Sequence, residues 1–178
     1  MRPFITCMCS YTQRARILQS AILLLLPVVI IGCSTLSTNS DLSDSFLAQK
    51  GHLDWPTEGV IAKSFGTDVN PVYSTKTINP GIWISTAPQA EVNAVFDGEV
   101  TAVYTMPEFG RVITINHGDY TSLYGNLSSL QVAEGMPVEA GQLIGVSGTE
   151  NEPRGESVFF AVFKDGAEEN PEDWLASN

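Results

Sequence analysis

An all-β domain of antiparallel strands is what residues 51–178 predict, on three observations. Turn signals recur between short β-rich runs, at Asp97-Gly98, Gly118-Asp119, Glu134-Gly135-Met136-Pro137 and Lys164-Asp165-Gly166. No stretch sustains a helical period, and only Pro171 to Leu175 reads as a helical turn. From Gly51 to Leu175 lie about 125 residues, enough for one self-sufficient core. The chain shows no internal repeat, heptad run or second domain.

Residues 1–33 stand apart from that domain. Arg14 and Arg16 precede an apolar run from Ile17 to Ile31 that only Gln19, Ser20 and Pro27 interrupt. The run has the length of a secretory signal core and is short for a membrane span. It closes on Ile30-Ile31-Gly32-Cys33, which resembles the lipobox of bacterial lipoproteins. The resemblance implies cleavage before Cys33 and lipidation of that cysteine. The leader is long enough that Met8 is an alternative start, and processing removes Cys7 and Cys9 from either. One cysteine then remains, so no disulfide framework is expected. A lone thiol in an oxidising compartment is a liability when free and harmless when acylated.

Residues 34–50 are polar, Ser-rich and without a sustained period, and predict a flexible tether. Beyond residue 33 twenty acids face six bases (Lys50, Lys63, Lys76, Arg111, Arg154, Lys164), a net charge of −14. Such a surface repels phosphate backbones and anionic headgroups, which argues against nucleic acid as a partner.

Within the domain, EVNAVFDGEVTAVYT carries Asp97-Gly98 between two apolar runs and predicts a hairpin. RVITINHGDYTSLYGNL repeats the device around Gly118-Asp119. GQLIGVSG, residues 141–148, predicts a short strand bracketed by glycines. GESVFFAVFKDG, residues 155–166, is apolar on both faces of the strand it predicts, which suits a strand covered on both sides.

The succession WPTEGVIAKSFG, PGIWIS, VNAVFDGEV, GRVITINHGDYTSLYGNL, VEAGQLIGVSG, SVFFAVFKDG and NPEDWL resembles the lysostaphin/LytM-type zinc endopeptidases, in order from Trp55 to Leu175. The resemblance implies a single LytM-like, duplicated-hybrid-motif-like antiparallel β-sheet domain. That family cleaves peptidoglycan with a hydrolytic zinc held by three protein ligands, one position being left open for water. Its ligands are a His, an Asp four residues later, and the second His of a His-x-His strand. Another His in the central hairpin stabilises the transition state.

Carried over by position, the first ligand His falls on Asn79 and the Asp on Trp83, with Gly81 and Ile82 kept between them. The hairpin His falls on Asn126, two residues after Tyr124, and the two histidines of the strand fall on Ser157 and Phe159. Indole and phenyl rings offer zinc no lone pair, and amide or hydroxyl groups are weak zinc ligands. The resemblance therefore implies a catalytically inactive domain with no cofactor, its zinc lost. A substitute site of His52, Asp54 and His117 is conceivable, but His52 precedes the first core strand. His52 and His117 read as surface or hairpin residues.

A groove should survive, lined or floored by Asn79, Trp83, Tyr124, Asn126, Ser157 and Phe159. Buried aromatics there repack the vacated metal site, whereas a Trp in a cleft suits partner contact. Ligand-less members of the family serve as division factors that switch on peptidoglycan amidases. The leading expectation is thus a lipid-anchored domain that binds through the groove and regulates a peptidoglycan hydrolase such as an amidase. The alternatives are a peptidoglycan-binding module and an active zinc endopeptidase with atypical ligands. The expected location is the bacterial envelope, with the lipid on Cys33 in the membrane. Ser34, where Asp would favour the inner membrane, points to the outer membrane and its periplasmic face. GMPVEAGQLIG also resembles the hairpin of biotinyl and lipoyl carriers, but neither Lys63 nor Lys76 sits in one of the β-hairpin turns.

Overall fold

Residues 39–69 and 76–177 are described by a computed structural model, without the side chains of Asp68 and Val69. The signal peptide, Cys33 and residues 34–38 of the expected tether lie outside the described residues. In chain order the elements are α1 (Asn39–Ala48), β1 (Val60–Lys63), β2 (Gly66–Val69), β3 (Lys76–Asn79), β4 (Ile82–Ser85), β5 (Glu91–Asn93) and β6 (Gly98–Met106). There follow β7 (Gly110–Asn116), β8 (Tyr120–Leu130), β9 (Pro137–Val138), β10 (Leu143–Ser147), β11 (Ser157–Lys164), β12 (Ala167–Glu169) and a 3-10 turn over Pro171–Asp173.

The main sheet runs β1-β4-β11-β8-β7-β6-β9, with β10 joining β5 to β8 and β12 folding back on β11. β2 and β3 form a separate two-stranded ribbon. All these pairings are antiparallel, as the recurring turn signals require. The fold is the expected mostly antiparallel β-sheet domain, with one short helix.

The strand β11 shows why both of its faces are apolar. It lies between β4 and β8, and alternate side chains enter two different clusters. Val158, Phe160 and Val162 join the main core with Ile82, Ile84, Ile113, Ile115 and Leu127. Phe159 and Ala161 join Trp83 in a second cluster, against which Phe109, Leu123 and Phe163 pack. Each large apolar side chain so buried contributes about 1.5–3 kcal/mol. The strand ends in a turn with Asp165 at φ 50° and Gly166 at φ 80°, the left-handed pair that a two-residue hairpin favours.

Two expectations need correction. Asp97-Gly98 does not close a hairpin, because β5 pairs with β10 while β6 pairs with β7 and β9. Instead Asp97 Oδ1 accepts the Ala140 N–H at 2.7 Å, tying the corner to the loop before β10. The Gly118-Asp119 turn does join a paired hairpin, β7 and β8, with Asn116 opposite Thr121.

The second correction concerns the tether, which over Asn39–Ala48 is the helix α1. A single large side chain anchors it. Phe46 stacks on His117 (4.8 Å) and Tyr120 (5.0 Å) and meets Phe96 and Trp174 at 5.4 and 4.9 Å between ring centroids. Ser43 completes the contact by accepting the Asp119 N–H at 2.8 Å. One phenylalanine and one small serine make no apolar stripe, so the period was invisible and tertiary packing decided the conformation.

Candidate functional site

Antiparallel register brings the predicted positions together. In the β4–β11 pair Trp83 faces Phe159 and Ser85 faces Ser157, while β8 sets Gly125 beside Phe159. Glycine at 125 leaves room for the phenyl ring, since a Cβ there would lie 3.3 Å from Phe159 Cβ. Phe159 is 2% exposed and Trp83 7%. Their rings are 5.0 Å apart, and Phe109 lies 4.6 Å from Phe159 and 5.8 Å from Trp83, near-parallel to the indole.

The polar positions are committed to the backbone. Asn79 Nδ2 donates to Ser64 O at 2.8 Å and to Gly81 O at 2.6 Å, which fixes the β3–β4 corner. Asn126, at φ 62°, donates through Nδ2 to Gly155 O (2.8 Å) and Ser157 O (2.9 Å). Its Oδ1 accepts the Arg154 N–H at 3.3 Å, and Ser157 Oγ donates to Arg154 O at 3.1 Å. Asn126 thus pins the segment that leads into β11.

These residues do not suit zinc. At two of the expected ligand positions stand rings without a lone pair, and at the third an amide whose N–H groups already serve two carbonyls. Among the described residues no three of His, Cys, Asp and Glu lie close enough to hold a metal ion. His52 is exposed, with Nδ1 3.2 Å from Lys50 O, whereas His117 is fully buried. The two therefore do not form the conceivable substitute site.

The expectation that His117 is a surface or hairpin residue is right about the hairpin and wrong about the surface. Its Nδ1 donates to Asp97 O at 2.6 Å, which fixes the tautomer because a carbonyl only accepts. Nε2 then accepts from Ser122 Oγ at 2.8 Å, Ser122 Oγ lies 3.2 Å from Tyr124 Oη, and Tyr124 Oη accepts the Val95 N–H at 3.0 Å. Burial pulls His117 down to about 4, against the opposing pull of the Asp97 carbonyl and carboxylate. Burial also pushes Tyr124 up to about 12.

This network corrects the placement of Tyr124. Its side chain points into the main core beside Phe160, on the face of β8 opposite Leu123. Alternation along the strand requires that, and Tyr124 is not part of the groove. Asn126 is likewise fully buried and stands behind the groove.

The groove itself has a volume of about 350 Å³. Of the predicted residues, Asn79, Trp83 and Ser157 line it, and Phe159 lies beneath Trp83 as part of its floor. The sequence reading missed Lys63, Glu108, Phe109, Arg154 and Glu156, which also line it. An aromatic residue in the Glu108-Phe109-Gly110 hairpin turn was the available signal for Phe109. Arg154 lies over Trp83, its guanidinium carbon 5.2 Å from the ring centroid. A larger cavity of about 630 Å³, beside Trp55, Thr57 and Glu91, contains none of the predicted site residues.

A sequence profile described as peptidase family M23 matches residues 77–171, from the ribbon strand before Asn79 to the final 3-10 turn. Murein hydrolase activator EnvC of Escherichia coli (strain K12) is 32% identical over 132 residues, 72% of this chain and 30% of the relative. Murein hydrolase activator NlpD of the same strain is 33% identical over 97 residues, 53% of this chain and 24% of the relative. The chain therefore spans under a third of the length of these curated relatives. A solved zinc-containing peptidase from Vibrio cholerae shares the fold at a TM-score of 0.62 and 23% identity, over 69% of this chain and 40% of the other.

Proposed function

The chain belongs to peptidase family M23, and from that premise we propose that it is a non-catalytic member that binds a peptidoglycan hydrolase of the amidase kind through the groove above Trp83 and raises its activity. The observation that carries this reading is the fate of the metal positions. Trp83 and Phe159 fill two of them with rings packed 5.0 Å apart, yet the cleft above them remains open. A buried aromatic plug would keep the fold without a metal, because volume-filling apolar packing replaces the ligand shell. An open cleft over an indole offers a protein partner apolar area and a donor. The names of EnvC and NlpD as murein hydrolase activators support the direction of the effect.

The test is release of fragments from purified sacculi by a periplasmic amidase, with and without this protein. Activation is expected with the wild type and its loss with Trp83→Ala, the variant's far-ultraviolet circular dichroism being unchanged. An amidase rate indifferent to the wild-type protein would refute the reading. Its anchoring belongs to the same proposal, with Cys33 lipidated and the domain held at the outer membrane on the periplasmic side. Palmitate label should enter the wild type and not Cys33→Ser, and label in both would remove the anchor from the proposal.

A further inference from the structure

The groove combines an aromatic floor with two cations, Lys63 and Arg154, of which Arg154 lies over the indole. Arg154 is exposed and seated over Trp83, and among the described residues its guanidinium has neither an ion pair nor a side-chain hydrogen bond within the protein. Two carboxylates, Glu108 and Glu156, line the same groove, yet neither engages it. The only ion pair among the described residues is Lys50 with Glu169, far along the sequence from the groove. A guanidinium seated over an indole still carries a planar fork of N–H donors, which is the arrangement that matches a carboxylate.

The backbone at Arg154 is also held. Asn126 Oδ1 accepts its N–H, Ser157 Oγ donates to its C=O, and Asn126 Nδ2 binds the next carbonyl, Gly155 O. Asn126 is fully buried and lies behind the groove, so it acts through Arg154 as a positioning residue. The residue that corresponds to the family's hairpin histidine has become a clamp on the cation.

From this geometry we propose that Arg154 recognises a carboxylate side chain, Asp or Glu, on the protein segment that occupies the groove, with Asn126 setting its position. The proposal rests on the reading of the groove as a protein-binding site. The chain is strongly acidic, and Glu108 and Glu156 stand beside the site, so a second acid on the occupant is repelled and the one guanidinium fixes its register. Lys63 on the same wall is a compact charge without the planar fork and does not substitute for it.

The test uses the full chain in detergent with N-acetyl-glutamate amide and N-acetyl-glutamine amide as probes, which differ in charge alone. The Arg154 Nε–H and Trp83 Nε1–H resonances should shift saturably with the acid, at an affinity about tenfold or more above the amide. Arg154→Gln should abolish the preference, Arg154→Lys should retain only part of it, and Asn126→Ala should weaken it while leaving the Trp83 resonance in place. In the amidase assay, Arg154→Gln should raise the concentration for half-maximal activation by about tenfold. Equal binding of acid and amide, with activation lost in Trp83→Ala but kept in Arg154→Gln, would overturn this inference and leave the function standing. Activation insensitive to both variants would overturn both. A carboxylate preference seen only with purified stem peptides, and without effect on the amidase, would assign the site to peptidoglycan and overturn the inference.

Discussion

Acidification should destabilise this domain through His117, at a pH where ordinary surface histidines have long since titrated harmlessly. The imidazole is fully buried against Phe46, and its two nitrogens are committed, one donating to Asp97 O and one accepting from Ser122 Oγ. A proton on Nε2 removes the acceptor that Ser122 needs and places a charge in an apolar cage. The sign follows from the direction of the shift. The folded-state value, about 4, lies below the ordinary 6.5, so the unfolded chain binds the proton more readily. The associated stability is fully present above pH 6.5 and is lost as pH falls through about 4. At about 1.4 kcal/mol per pH unit, that window is worth roughly 3 kcal/mol, a large share of the 5–15 kcal/mol typical of a domain. Urea denaturation from neutral pH down to about 4 would measure it, with His117→Gln as a reference that keeps an amide donor and acceptor but does not titrate. The wild type should lose roughly 3 kcal/mol relative to the variant across the window. The His117 Cε1–H resonance should titrate with a midpoint near 4. Parallel stability curves, or a midpoint near 6.5, would refute the argument.

Phe46→Ala should cost about 3–5 kcal/mol, because it empties a cage of four rings. Limited proteolysis should then cut within Asn39–Ala48, and resistance there would show that the helix holds by other contacts. Phe159→Ala should cost a similar amount, since the ring is in contact with both Trp83 and Phe109. Its signature in near-ultraviolet circular dichroism is a changed Trp83 band, and an unchanged band would contradict the stacked cluster. Metal analysis of the wild type should find well under one zinc per chain, because the rings at 83 and 159 cannot coordinate it. Zinc near stoichiometry that survives chelator dialysis would reverse the non-catalytic reading.

What was legible in the sequence depended on whether the information was local. Gly118-Asp119 and Lys164-Asp165-Gly166 close hairpins because their conformational demands are met within a few residues. Asp97-Gly98 carries the same signal but closes no hairpin, because its neighbours pair with strands distant in sequence, β10 for β5 and β9 for the start of β6. The helix α1 was missed for a related reason: its stability resides in rings from residues 96, 117, 120 and 174, which no window around Phe46 contains. The site divides along the same line. Trp83, Phe159 and Ser157 occupy motif positions that the register of β4 with β11 brings together, and Asn79 reaches the same groove from the end of β3. Tyr124 was misplaced because a motif gives proximity along the chain, whereas strand alternation decides the face. Arg154 and Phe109 carry no sequence signal for the groove because they reach it from two loops that meet only in the folded chain, over Trp83 and through Asn126. Departures from the family's motif are therefore legible at single positions, but the packing around them is not. An absent ligand is read from one position, while the clamp that Asn126 makes on Arg154 exists only once β8 lies beside β11.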